Sequence, residues 1–222
     1  MNLSQEEIWP RHKWQELVQK SLALGASIDV SQIDYGIPHW PVDEATRPRI
    51  LTPSYYSFLA GLICALDIHR IIEVGTHMGG SARAMVRGMN RPRGYEQHIY
   101  TVDVTDLSDS VLNSEPLITK IQGEACAGHV IQALVKLTAH QPIDLVFIDS
   151  QHEFQSTLDQ FTTYQRLFTP KYILVDDVAL NEPMREFWKI ICARYPGKAL
   201  DISKLAPGVR DPDCGFGLVT FV

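Results

Sequence analysis

The 222-residue chain has only four cysteines, Cys64, Cys126, Cys192 and Cys214, spread so widely that no Cys-x-x-Cys pair occurs. Neither a zinc knot nor a disulfide framework follows from such spacing, and the four read as buried thiols. Long apolar runs are missing too: none approaches the roughly 20 residues that a spanning helix needs, so no membrane partner is expected. The first thirty residues carry Glu6, Glu7, Arg11, Lys13 and Glu16, which break up the apolar stretch of a signal peptide. A soluble, cytoplasmic protein is expected. Positive charge is in short supply, with 20 Lys and Arg against 26 Asp and Glu, a net charge of -6 and a pI near 5.7. Without a basic face, nucleic acid is not an expected partner. Internal repeats and low-complexity tracts are absent as well.

What the chain does have is 45% hydrophobic residues, enough for one full core, and a length ordinary for a single α/β domain. Residues 1–53 read as an accessory or lid segment. It begins with an amphipathic helix carrying Ile8, Trp9, Trp14, Leu17 and Leu22, interrupted by Pro10, whose apolar face could pack on a second copy of the chain. A Pro- and Gly-rich loop follows, in which Trp40 either walls the site or anchors the segment to the core. Residues 54–222 read as the ligand-binding domain. A helix opened by Thr52-Pro53 or Ser54, with Tyr55, Phe58, Leu59, Leu62 and Leu66 on one face, leads into a first strand at 70–74. Strands are expected at 98–103, 117–121, 144–149 and 171–177, with further ones at 199–203 and 216–222. The intervening helices carry Val130, Ile131, Leu134 and Leu137, then Phe154, Leu158, Phe161, Tyr164 and Leu167, then Met184, Phe187, Trp188 and Ile191 as inward faces. Strand-then-helix units in succession call for a parallel, doubly wound sheet.

The chain is organised around Arg70-Ile71-Ile72-Glu73-Val74-Gly75-Thr76-His77-Met78-Gly79-Gly80-Ser81. An apolar strand ends in an acid, then a glycine, then a glycine pair that opens a helix. Bare backbone N–H groups at a helix N-terminus can hold a small anionic group. A dinucleotide fingerprint needs Gly-x-Gly-x-x-Gly, whereas here the spacing is Gly75-x-x-x-Gly79-Gly80, which favours a different nucleoside ligand. Asp103, at the tip of the second strand, stands where a nucleotide fold places the carboxylate that accepts from ribose hydroxyls. Asp106 is its rival in the same turn, and a loop-forming or capping role is the plain alternative.

The second informative region is Asp144-Leu145-Val146-Phe147-Ile148-Asp149, followed by His152, and then Ile173-Leu174-Val175-Asp176-Asp177. In a parallel sheet these strand ends meet at one edge, bringing Asp149, Asp176 and Asp177 together. Like charges at a few ångströms call for a cation. An all-oxygen ligand set with positions left for water and substrate suits Mg²⁺, with Mn²⁺ or Ca²⁺ as alternatives. The competing reading is that Asp177 or Asn181 caps the helix that begins near Glu182-Pro183. His152 reads either as a helix-start residue or as a general base beside a metal-bound hydroxyl. Arg210 is expected in a surface ion pair with Asp211 or Asp213, an anionic acceptor being its other reading.

The motif Glu73-x-Gly75-x-x-x-Gly79-Gly80-Ser81 resembles the first motif of class I S-adenosylmethionine-dependent methyltransferases. Asp149, His152 and the Asp176-Asp177 pair resemble the cation-dependent O-methyltransferases, namely the macrocin O-methyltransferase and cephalosporin-hydroxylase-like group and, more distantly, catechol O-methyltransferase. The resemblance spans roughly residues 50–180. It departs at Asp176-Asp177, where the first group usually has Glu-Asp and the second Asp-Asn. The resemblance implies a seven-stranded, Rossmann-like sheet with an antiparallel last strand. It also implies a cofactor cradle of Glu73, Gly75, Thr76, Gly79, Gly80 and Ser81, with Asp103, Glu124, Ala125 and Asp149 as further cofactor contacts. Asp149, Asp176 and Asp177 are the implied metal ligands, and His152 with Asp149 the catalytic pair. The implied reaction is methyl transfer from S-adenosylmethionine to a hydroxyl of a small molecule, a sugar or aromatic diol. An NAD(P)-dependent oxidoreductase and a non-catalytic S-adenosylmethionine-binding protein are the alternatives.

Overall fold

A computed structural model of the chain describes residues 8–33, 53–89, 96–105, 107–108, 112–210 and 213–222. Trp40, Thr52, Asp106 and Asp211 lie outside them. The elements run in the order α1 (Arg11–Gly25), α2 (Pro53–Ala65), β1 (Arg70–Val74), α3 (Gly80–Gly88), β2 (His98–Asp103), β3 (Ile118–Gln122), α4 (Gly128–Thr138), β4 (Leu145–Ile148), α5 (Phe154–Phe168), β5 (Tyr172–Asp176), α6 (Glu182–Arg194), β6 (Ala199–Asp201) and β7 (Phe216–Thr220). Seven strands form one sheet in the order β3-β2-β1-β4-β5-β7-β6. Strands β1 to β5 pair in parallel, and β7 inserts antiparallel between β5 and β6. This is the doubly wound, Rossmann-like α/β sheet with an antiparallel last strand. None of the helices among the described residues is long and apolar enough to cross a membrane.

Alternation along the strands builds the two faces. Ile71, Ile99, Leu145, Phe147, Leu174 and Phe216 pack on one side with α1, α2 and α3, while Ile72, Val102, Val146, Ile148, Ile173 and Val175 pack on the other with α4, α5 and α6. Because both faces are covered, the central strands read as continuous apolar runs, all buried in β4 and β5. Phe147 and Phe216 meet edge to face at 6.1 Å in the first layer. Removing either ring would cost about 3–5 kcal/mol.

Helix α1 lies directly on α2 through Trp14, Leu17, Val18 and Ser21. The close approach depends on Gly61, where a Cβ would stand 1.9 Å from the Ser21 carbonyl oxygen. Two inward assignments differ from the pattern. Leu137 and Leu167 are exposed, because α4 buries Val130, Leu134 and Thr138 and α5 buries Thr157, Gln160, Phe161, Tyr164 and Phe168. Leu137 in α4 and Leu167 in α5 have rotated past the narrow stripe that touches the sheet.

Candidate active site

The carboxyl ends of β1, β2, β4 and β5 open into one cavity of about 480 Å³. It is mostly apolar, and its walls bring Gly75 to Met78, Asp103, Glu124, Ala125, Asp149, His152, Asp176, Asp177 and Arg210 to one place. A polar hollow of about 550 Å³ lies at the opposite edge of the sheet, beside Arg70, Glu96 and His98. Open α/β sheets hold their ligands at the carboxyl edge, so the first cavity is the candidate site.

Backbone hydrogen bonds set the strand tips. Gly75 N–H donates to the Val102 carbonyl at 2.8 Å, and Asp149 N–H donates to the Val74 carbonyl at 2.8 Å. Gly75 has φ +102°, and a Cβ there would fall 1.7 Å from the Asp149 carbonyl oxygen. Any side chain would therefore push the glycine loop and the first aspartate apart, and only glycine satisfies both demands. Gly79 caps α3 in the left-handed region at φ 78°, which turns the N-terminus of α3 towards the cavity.

On this side of the cleft the predicted residues divide into two sets. Gly75, Thr76, Gly80, Ser81, Asp103, Glu124 and Ala125 line the cavity, whereas Glu73 and Gly79 do not. Glu73 is fully buried behind the loop, where its carboxyl accepts from Ser81 Oγ at 2.5 Å and from Thr101 Oγ1. Burial pushes its pKa up to about 8, against the pull of the two hydroxyl donors. Glu73 thus ties β1, β2 and α3 together beneath the loop and does not line the cavity. Asp103 accepts from His77 N–H at 2.8 Å through Oδ2 and from Thr105 through Oδ1. It therefore shapes both loops while facing the cavity.

The acid side holds what the sequence reading missed. Arg210 is buried, not on the surface, and its Nη2 donates to Asp176 Oδ2 at 2.7 Å and to Asp177 Oδ1 at 2.6 Å. Its guanidinium lies over the Tyr55 ring, 4.8 Å from the centroid, and Tyr55 Oη donates to Asp176 Oδ2 at 3.1 Å. The Asp177 N–H supplies Asp176 Oδ1 at 2.9 Å. A buried Asp-Asp pair with no cation would have been the available signal, since such a pair demands a partner and Arg210 is among the few cations downstream.

Asp177 adopts φ +58°, a left-handed conformation that Asp tolerates better than most residues. Its Oδ2 lies 3.2 Å from His152 Nε2, and Asp149 Oδ1 lies 3.5 Å from the same nitrogen. Ligand atoms of Asp149, His152 and Asp177 all fall within 4.8 Å of one another. The converging set therefore contains His152 in place of Asp176, which faces Arg210 and Tyr55. Burial draws the His152 pKa down, but hydrogen bonding and charge from Asp149, with Asp177 and Asp176, push it up to about 9. Asn181, not Asp177, caps α6, accepting from Met184 N–H at 2.9 Å, and its amide donates to the His152 carbonyl at 2.9 Å.

Comparison with known proteins follows the same lines. Residues 72–178 match the family described as methyltransferase domain, and no curated protein matches the chain. The chain is similar in structure to the O-methyltransferase TomG from Streptomyces achromogenes, involved in tomaymycin synthesis and solved with S-adenosylmethionine, at 17% identity over 98% of this chain and 99% of that one, with a TM-score of 0.59. It is similar to the O-methyltransferase from Bacillus cereus in complex with S-adenosylhomocysteine, at 18% identity over 92% and 90% of the two chains and a TM-score of 0.58. It is similar as well to the methyltransferase PaMTH1 from Podospora anserina, bound to S-adenosylhomocysteine, at 15% identity over 99% and 100% with a TM-score of 0.54. The match to the methyltransferase-domain family thus runs from β1 to just past the end of β5, and the chain shares the fold of these solved methyltransferases.

Proposed function

We propose that the protein transfers a methyl group from S-adenosylmethionine to a hydroxyl oxygen of a small molecule, a vicinal diol on a sugar or an aromatic ring. The observation that carries this reading is the single cavity in which the glycine loop and Asp103 face an acid–imidazole cluster. The bound cofactors of TomG and of the Bacillus cereus enzyme support the choice of donor. The loop from Gly75 to Ser81 would receive the methionine end, Asp103 the ribose, and Glu124 with Ala125 the adenine edge.

In the reaction the acceptor oxygen attacks the sulfonium methyl carbon, and the carbon–sulfur bond breaks with its electron pair left on sulfur. The hydroxyl proton passes to His152 Nε2, and the products are a methyl ether and S-adenosylhomocysteine. Asp149 and Asp177 flank that nitrogen and stabilise the imidazolium that results. The positive sulfonium entering the cleft opposes the protonation these carboxylates favour, so cofactor binding raises the fraction of His152 that is neutral and able to take the proton. A divalent cation is implied by the resemblance, and the residues fit one in part: Asp149 and the outward oxygen of Asp177 would hold it, with His152 alongside. When bound it supplies a lowered pKa for the acceptor hydroxyl.

The test is calorimetric titration with S-adenosylmethionine and, separately, NAD, followed by turnover of a catechol or sugar diol. Binding of S-adenosylmethionine alone is expected. His152→Ala should then lower kcat by about 10²–10⁴-fold while cofactor affinity stays within about threefold, and should remove the rise in rate with pH. Binding of NAD alone would overturn the proposal.

A further inference from the structure

Three carboxylates at the acid edge are met by the Arg210 guanidinium on one side and the His152 imidazole on the other, and the guanidinium's charge is divided unequally. Asp176 is enclosed, with a side chain 1% exposed, and both its oxygens are engaged. Oδ1 accepts from the Asp177 N–H, and Oδ2 accepts from Tyr55 Oη and Arg210 Nη2. A carboxylate has about four lone-pair directions, so these three donors leave little for any other ligand. Asp177 gives only Oδ1 to Arg210, and its Oδ2 turns to His152. Asp149 stands 3.5 Å from His152 Nε2, with its carboxylate partly open to the cavity.

We propose that Arg210 is the resident cation of this cluster: it takes Asp176 out of the set of groups available to a divalent ion and leaves Asp149 and one oxygen of Asp177 as the carboxylate ligands. A guanidinium does not lose its proton in such surroundings, and its planar fork together with the Tyr55 ring fixes it in place. The protein therefore supplies internally part of the neutralisation that three facing carboxylates would otherwise draw from a metal. Arg210 is a positioning residue, since it acts through the two aspartates. The inference rests on the functional reading only in taking the cleft as the place where a divalent ion is held.

The test is titration of the purified full chain with Mn²⁺, followed by the electron paramagnetic resonance signal of free Mn²⁺ and by calorimetry, with no turnover required. Asp149→Asn should weaken binding by about tenfold or more, whereas Asp176→Asn should change it by less than about threefold. Arg210→Met should tighten binding, or create it if the parent shows none, by about tenfold or more, because a contacting positive charge is lost and Asp176 is released. Arg210→Gln, which keeps a donor without the charge, should show the same gain and stands in if Arg210→Met does not fold. An equal loss in Asp176→Asn and Asp149→Asn, or no gain in either folded Arg210 variant, would overturn the proposal. S-adenosylmethionine titrated into the parent protein in parallel separates the two ideas: its failure to bind removes the methyl-transfer reading and leaves the Mn²⁺ comparison intact.

Discussion

Glu73 and Asp176 are both acids near the carboxyl ends of central strands, and both are buried to within 1% exposure, yet the fold accommodates them in opposite ways. Glu73 sits between two hydroxyls, on Ser81 and Thr101, and burial raises its pKa to about 8, so near neutrality it is held largely as the acid. Asp176 meets a guanidinium, a phenol and a backbone N–H. Burial pushes both carboxyls up, but Glu73 has only neutral hydroxyl partners, whereas the Arg210 guanidinium pulls Asp176 back down. Neutral hydrogen bonding suits the floor of a loop, whose task is to stay fixed beneath a ligand. A charge pair suits the wall of a reacting centre, where the field acts on groups nearby.

The contrast breaks most sharply at Arg210. Replacing it by Met leaves Asp176 and Asp177 buried without the guanidinium, His152 reaching only the outward oxygen of Asp177, and removal of one partner from a buried pair costs about 3–5 kcal/mol. Chemical denaturation at pH 7 should register that loss as a lower midpoint with an unchanged slope. A loss below 1 kcal/mol would mean that solvent or a proton can replace the arginine, and the distinction between the two acids would collapse.

Arg210 also marks the limit of what could be read from the residues. The strand pattern and glycine spacing announced the sheet and the glycine turn at its carboxyl edge, because period, length and turn chemistry are local properties. Asp149, His152 and Asp177 were legible since each stands at or just beyond a strand end on one edge. Arg210 was not, because it reaches the site from the segment before β7, more than thirty residues beyond its partners, and nothing local separates a buried arginine from an exposed one. Glu73 was misplaced for a related reason. The alternation of β1 assigns its residues to faces, but the hydroxyls of Thr101 and Ser81 come from β2 and α3.

Glu73 offers the second way to sharpen the comparison. Its folded pKa of about 8 lies above the unfolded value near 4.5, so between those pH values the folded state holds a proton that the unfolded state lacks. Its contribution to stability is therefore fully present below pH 4.5 and declines as pH rises through 8. Glu73→Gln, close in shape and never charged, should escape that decline. Relative to the variant, the parent should lose about 2–4 kcal/mol across the interval, as measured by denaturation at several pH values. A difference independent of pH would show that Glu73 is ionised in the folded protein and that two hydroxyls alone hold a buried carboxylate.

The smallest expected effect is at Asn181, where neutral contacts hold the backbone of a residue whose ring lies among charges. Its Oδ1 caps α6 through the Met184 N–H, and its Nδ2 donates to the His152 carbonyl. Asn181→Ala loses both and should cost about 1 kcal/mol of stability. Asn181→Ser retains a capping hydroxyl but lacks the donor to His152, so its stability should stay within about 0.5 kcal/mol of the parent. If the neutral contact positions the imidazole against Asp149 and Asp177, both variants should lower kcat by about three- to tenfold with little change in cofactor affinity. If only Asn181→Ala lowers kcat, the residue serves the helix alone, and the charges of Asp149 and Asp177 suffice to orient His152.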